Sequence, residues 1–262
     1  MASHVPSKQR DIAELRSLGV KFLPGDLTGS TADLSALFRD FHTVIGCTGF
    51  VAGSGIQRKL ARAALDAGVK RYVPWQFGVD YDVIGRGSAQ DLFDEQLDVR
   101  DLLRSQDQTE WVIISTGIFT SFLFEPSFGV VDLAQNSIHA LGSWDTAVTV
   151  TTPADIGTLT AEILFAEPRV VNRIVYTAGD TVTYARLADI VDSVLDQKVQ
   201  RVEWSVPKLR GELAHDPDNF IRKYRVVFAE GRGVAWEVDK TFNAQRGIEV
   251  LGVESWAQQN LK

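Results

Sequence analysis

Apolar residues recur along this chain in two alternating rhythms. Ile12, Leu15 and Leu18 fall at helical spacing and stop at Gly19, which predicts an amphipathic helix over Asp11–Leu18 closed by its glycine. A short apolar run, Val20–Leu23, then reads as a strand entering the turn Pro24-Gly25-Asp26. The same alternation continues with a helix over Asp33–Phe41, a buried strand over Thr43–Cys47, a helix over Gln57–Ala67 closed by Gly68, and a strand over Lys70–Pro74. Beyond a glycine-containing loop, Phe77–Gly87, the spacing predicts a long helix over Ala89–Arg104. The Trp-Val-Ile-Ile run of Glu110–Ser115 then suits a strand buried on both faces. Strand, helix and strand in repetition predict an α/β protein built on a parallel sheet with right-handed crossovers.

The second half is less regular. Ile118–Phe128 is rich in Phe and keeps no period, while Ser137–Leu141 and Ala147–Val150 read as short strands and Ala154–Phe165 as a helix. Val171–Thr177 resembles a further sheet strand, Tyr184–Leu195 an amphipathic helix and Lys198–Trp204 a strand. Val206–Phe228 reads as mostly helical with a break at Asp216-Pro217. No repeat or low-complexity linker appears, so a boundary near Gly117–Pro126 is expected to be a cleft and not a tether.

Composition narrows the function classes. With 262 residues and 45% hydrophobic content the chain can bury a full core. A net charge of −7 with no Lys/Arg cluster argues against a nucleic-acid surface. No apolar stretch is long enough to span a bilayer, and the start lacks the apolar core of a secretory signal, so a cytoplasmic protein is expected. The single cysteine, Cys47, leaves no internal disulfide, and its apolar surroundings favour a buried thiol. The four histidines are scattered, and no metal site is expected. No G-x-S-x-G elbow supports a hydrolase.

Several runs carry a resemblance: Gly25-Asp26-Leu27, then Thr43-Val44-Ile45-Gly46, then Ala67-Gly68-Val69-Lys70-Arg71-Tyr72-Val73-Pro74 with Gln76-Phe77-Gly78-Val79-Asp80. Val99-Arg100 and Thr152-Pro153-Ala154-Asp155-Ile156-Gly157 follow in order. Together they resemble the isoflavone-reductase-like and NmrA-like families of atypical short-chain dehydrogenases, from about Ile12 onward. The resemblance implies a Rossmann-like NADP(H)-binding domain over residues 1–125 and a smaller substrate-binding region over 126–262, with 171–178 returning to the sheet. It implies reduction of an aromatic or conjugated small molecule. Asp26 and Leu27 would lie near the adenine, and Cys47, Thr48, Gly49 and Phe50 beside the ribose and nicotinamide, with Gln76 and Phe77 completing the cofactor side. Taken alone, Asp26 reads as a turn cap; with the strand order behind it, it reads as a cofactor residue.

Two departures bear on the chemistry. The chain has no glycine-rich turn to face a pyrophosphate, and it begins after the strand, turn, helix and strand with which family members start. It is therefore read as a shortened form whose Rossmann-like sheet is incomplete at its N-terminus. Pairing of Val20–Leu23 with Thr43–Cys47 would close the gap and leave one sheet face under-covered, favouring a homo-oligomer or a protein partner. The second departure is Gln96, which stands four residues before Arg100, where the family carries its catalytic lysine. Glutamine can orient or polarise a carbonyl but has no titratable proton. Tyr81 is then the substitute proton donor, with Gln96 and Arg100 on the active-site helix, although Gln96 also reads as an ordinary polar helix residue. Trp75, Phe119 and Phe122 are the expected pocket lining. Phe124, Phe128 and Trp144 lie in the stretch that would cover the cleft and read first as plain core. The alternative function is a catalytically inactive NmrA-like protein that senses a dinucleotide or binds a protein.

Overall fold

A computed structural model describes residues 6–50 and 53–261. Helix α1 (Pro6–Ser17) runs into an extended segment, and residues 9–26 are all exposed. Helix α2 (Thr31–Phe38) starts from a capping box in which the Ser30 side chain accepts from the Asp33 amide and the Asp33 carboxylate accepts from the Ser30 amide. Strand β1 (Thr43–Ile45), helix α3 (Ile56–Ala67) and strand β2 (Arg71–Val73) follow, with Gly68 closing α3 in the left-handed conformation. A single-turn helix α4 (Tyr81–Ile84), helix α5 (Leu92–Arg104) and strand β3 (Glu110–Ser115) complete the regular half.

Strand β4 (Ile118–Phe119) passes into a 3-10 turn over Thr120–Phe124, then β5 (Val131–Asp132), β6 (Ser137–Leu141), β7 (Ala147–Thr151) and helix α6 (Pro153–Leu164). Next come β8 (Arg173–Tyr176), β9 (Asp180–Thr183), α7 (Tyr184–Leu195), β10 (Gln200–Trp204), α8 (Val206–His215) and α9 (Phe220–Glu230). The one-turn α10 (Phe242–Gln245) and α11 (Val253–Asn260) end the chain's described elements. The break expected at Asp216-Pro217 separates α8 from α9.

The main sheet is wholly parallel in the order β1-β2-β3-β8, an α/β arrangement with a Rossmann-like crossover pattern. Two three-stranded sheets, β10-β6-β5 and β4-β7-β9, build the second half. The largest core cluster joins the halves: Tyr81, Phe93 and Leu97 pack with Phe128, Leu141, Val182, Leu187 and Phe228. No helix among the described residues is long and apolar enough to cross a membrane.

Val20–Leu23 corrects the sequence reading, because it forms no strand. Val20, Phe22 and Leu23 are 44%, 44% and 58% exposed. An extended segment becomes a strand only where a neighbour takes its N–H and C=O groups, and this one meets none. Strand β1 pairs with β2 alone, so among the described residues its other edge is free. Ile45 is exposed on this edge strand, and so is Cys47 just past it, where a buried thiol was expected. Among the described residues nothing pairs with β1 on its outer side to bury them.

Candidate functional site

The strands β2 and β3 end side by side, and the loops that follow are stitched together at one oxygen. Gly78 O accepts from the amides of Thr116 and Gly117, each at 3.0 Å. Two glycines make the approach possible. A Cβ on Gly78 would lie 2.5 Å from the Tyr81 hydroxyl oxygen, and one on Gly117, which has φ +74°, would lie 2.0 Å from the Thr149 carbonyl oxygen. Between the loops lies a cavity of about 160 Å³ walled by Trp75, Phe77, Phe119 and Phe122. Tyr81 and Phe93 form its inner side, and Phe220 and Tyr224 of α9 close it from the second half. The three residues expected as pocket lining thus share one cavity. Phe128 does not line it: it is fully buried and stacks behind Phe122 at 4.5 Å.

Tyr81, Gln96 and Arg100 are brought together beneath this wall. Gln96, wholly buried, donates from Nε2 to the Trp75 carbonyl at 3.0 Å, and its Oε1 is buried without a partner. Burial pushes the Tyr81 phenol well above its ordinary range and Tyr224 adds to this, while Arg100 and the Gln96 side chain pull the other way. Tyr81 is therefore a neutral phenol, able to donate. Arg100 is fully buried: its Nε donates to Gln76 Oε1 at 2.8 Å, its Nη1 to Asp82 at 2.8 Å, and its guanidinium lies 5.2 Å from the centre of the Tyr81 ring. Asp80 caps α4 and accepts from the Tyr176 hydroxyl at 2.7 Å. Arg100 thus holds α4, and with it Tyr81, from behind.

The residues expected at a dinucleotide fall into two groups, one at the Asp26 turn and one around Trp75. The Asp26 carboxylate accepts from Thr28 N at 2.8 Å and Thr28 Oγ1 at 2.7 Å, and these bonds lower its pKa. This is the turn cap that the bare sequence suggested. Leu27 packs on the Leu34–Ile56 cluster, below which Lys59 donates to the Leu27 and Gly29 carbonyls. Gln76 is a strut: wholly buried, it donates to the Gln96 carbonyl at 2.8 Å and accepts from Arg100. Phe77 belongs to the aromatic wall. Gly49 and Phe50 rest on the Trp75 indole, Phe50 edge-on at 4.8 Å, and the buried Thr48 hydroxyl has no partner.

Sequence reasoning did not find Phe220, Tyr224, Phe93 or Glu95. Phe220 and Tyr224 are spaced i, i+4, which puts them on one face of α9, and that spacing was the available signal. Nothing local marks Glu95. From α5 its carboxylate accepts the amides of Gly55 at 2.7 Å, Gln57 at 2.7 Å and Arg58 at 3.2 Å, capping α3 across the fold.

The model of the NmrA-like family matches residues 5–242. The chain belongs to that family. It is 46% identical over 255 residues to an NmrA-like family domain-containing oxidoreductase of Gibberella moniliformis, covering 97% of this chain and 84% of that protein. A crystal structure of isoflavone reductase superposes with a TM-score of 0.81 at 18% identity, covering 99% of this chain and 87% of the other. A leucoanthocyanidin reductase–NADPH complex from Vitis vinifera gives a TM-score of 0.80 at 16% identity, covering 99% and 88%. These structures share the fold of this NmrA-like chain.

The dinucleotide that the family implies needs a helix N-terminus with free amides to meet its pyrophosphate. In this NmrA-like chain α3 follows β1 through Gly46, Gly49, Gly53 and Gly55, yet its first-turn amides are held by Glu95. The Asp26 carboxylate is likewise engaged within its own turn. The N-terminus of α3 therefore does not fit a pyrophosphate. Glu95→Gln replaces a carboxylate by an amide whose NH₂ faces N–H donors. It is expected to lower stability by about 2 kcal/mol, read as a fall of the urea midpoint. An unchanged midpoint would mean that water replaces the cap at no cost.

Proposed function

We propose that this NmrA-like protein acts on a flat aromatic or conjugated small molecule held in the Trp75–Phe119–Phe122 cavity, with Tyr81 donating a hydrogen bond or proton to an oxygen of that molecule. The observation that carries the reading is an aromatic wall at the carboxyl ends of parallel strands, with a neutral phenol at its inner side. Gln96 supports the phenol through its amide. Arg100 fixes the helix that presents it and touches no reacting atom. Having no titratable proton, Gln96 leaves Tyr81 as the donor.

Family membership favours NADP(H) as reductant. The Glu95 cap favours the second reading, a binding protein of the same fold without turnover, and a protein partner or self-association belongs with that reading. Titration with benzaldehyde, watched by quenching of tryptophan fluorescence, is expected to saturate through Trp75. A parallel thermal-shift titration with NADPH and NADP decides between the readings. A shift accompanied by NADPH consumption makes the protein a reductase, whereas aldehyde binding with no nucleotide shift makes it a binder. No saturation with the aldehyde sinks the pocket reading itself.

A further inference from the structure

We propose that Tyr81 and Tyr224 form a two-phenol clamp that selects a single aromatic ring bearing one oxygen substituent, a hydroxyl or a carbonyl. The proposal rests on the pocket reading above and names its ligand more narrowly.

Size sets the first limit. A cavity of about 160 Å³ has the room of a protein void that holds one benzene ring, so a single ring fills it. Chemistry sets the second. The rest of the lining is apolar side chains and glycine backbone, and the two tyrosines join it from opposite halves of the fold, one on α4 and one on α9. Both tyrosines pack edge-on against one ring, that of Phe93, Tyr81 at 5.0 Å and Tyr224 at 5.7 Å. Phe220 braces the outer ring at 4.8 Å.

The hydroxyls are underused by the protein. Among the described residues neither hydroxyl has a protein hydrogen bond; burial raises both phenols, and at Tyr81 the nearby Gln96 and Arg100 side chains oppose it. A negative charge on Tyr224 would raise Tyr81 further, and both rings meet the single ring of Phe93. Each is both donor and acceptor. A ligand hydroxyl can donate to one and accept from the other, and a carbonyl oxygen can accept from both. A bare hydrocarbon ring leaves both hydroxyls dry and unpaired, and it binds more weakly for that reason.

The test compares p-cresol with toluene, a matched pair differing by one hydroxyl, by titration calorimetry on the full chain. The wild type is expected to bind p-cresol at least about tenfold more tightly than toluene. Tyr224→Phe keeps the ring and its contacts; it is expected to abolish most of that difference while leaving toluene affinity and the melting midpoint unchanged. Tyr81→Phe is expected to do the same from the other side. Equal affinities for the two ligands in the wild type overturn the clamp while leaving the aromatic pocket intact. A Tyr224→Phe variant that weakens both ligands alike also overturns it, because Tyr224 then only packs. Failure of both ligands to bind a folded wild-type chain removes the pocket reading and the clamp with it.

Discussion

Arg100→Met is expected to lower the unfolding free energy by about 3 kcal/mol, the lower end of the cost of breaking a buried ion pair by removing one partner. The guanidinium is fully buried, whereas the Asp82 carboxylate it meets keeps some contact with water and so remains partly solvated when left alone. Arg104 also holds Asp82, at 2.6 Å, which limits the damage on that side. The larger loss falls on Gln76, whose buried Oε1 is left unpaired once Nε is removed. Arg100→Lys is expected to recover little, because one ammonium cannot reproduce the planar fork that bonds Gln76 and Asp82 together. Urea denaturation of both variants checks this. A lysine variant as stable as the wild type would show that charge alone, and not the fork, holds the helix that carries Tyr81.

Raising the pH is expected to unfold the protein in one step that also releases its tyrosines. All five tyrosines have phenols pushed above their ordinary value, with burial the leading cause at each. Because the folded values lie above the unfolded value of about 10, the stabilisation is complete below about pH 10. It is lost as the pH climbs beyond that, since the unfolded chain gives up protons that the folded chain retains. Tyr72, Tyr81 and Tyr184 are the most buried, and each contributes about 1.4 kcal/mol per pH unit in that window, so the three remove about 4 kcal/mol per unit. That is a large share of a typical folding free energy. Phenolate absorbance followed beside circular dichroism is expected to show both changes together, well above pH 10. Tyrosines titrating near their ordinary value in a folded chain would contradict the burial described here.

Several elements were legible locally because their signals are local. Tyr184–Leu195 has the bounds its period indicated, with Thr183 accepting from the Arg186 amide as its cap. Gly68 closes α3, and Asp216-Pro217 divides α8 from α9. Glu110–Ser115 forms the strand its apolar run announced. Val20–Leu23 has an equally apolar run and forms no strand, because strand formation depends on a partner that a run of residues does not encode. Cys47 failed for a related reason: an apolar neighbourhood in sequence is not a covered one in space.

By itself the sequence determined the α/β alternation, most helix ends, the family, and the presence of glutamine where a lysine would carry protons. Those properties reside in neighbouring residues, in periodicity and in motif order. Only the tertiary structure decided that Gln76 is a strut and that Glu95 holds the amides of α3 from 38 residues away. It alone also brought Tyr224 and Tyr81, from α9 and α4, to the lining of one cavity. Such contacts join side chains far apart along the chain, and their partners are chosen by how the helices pack on the sheet, which no local pattern records.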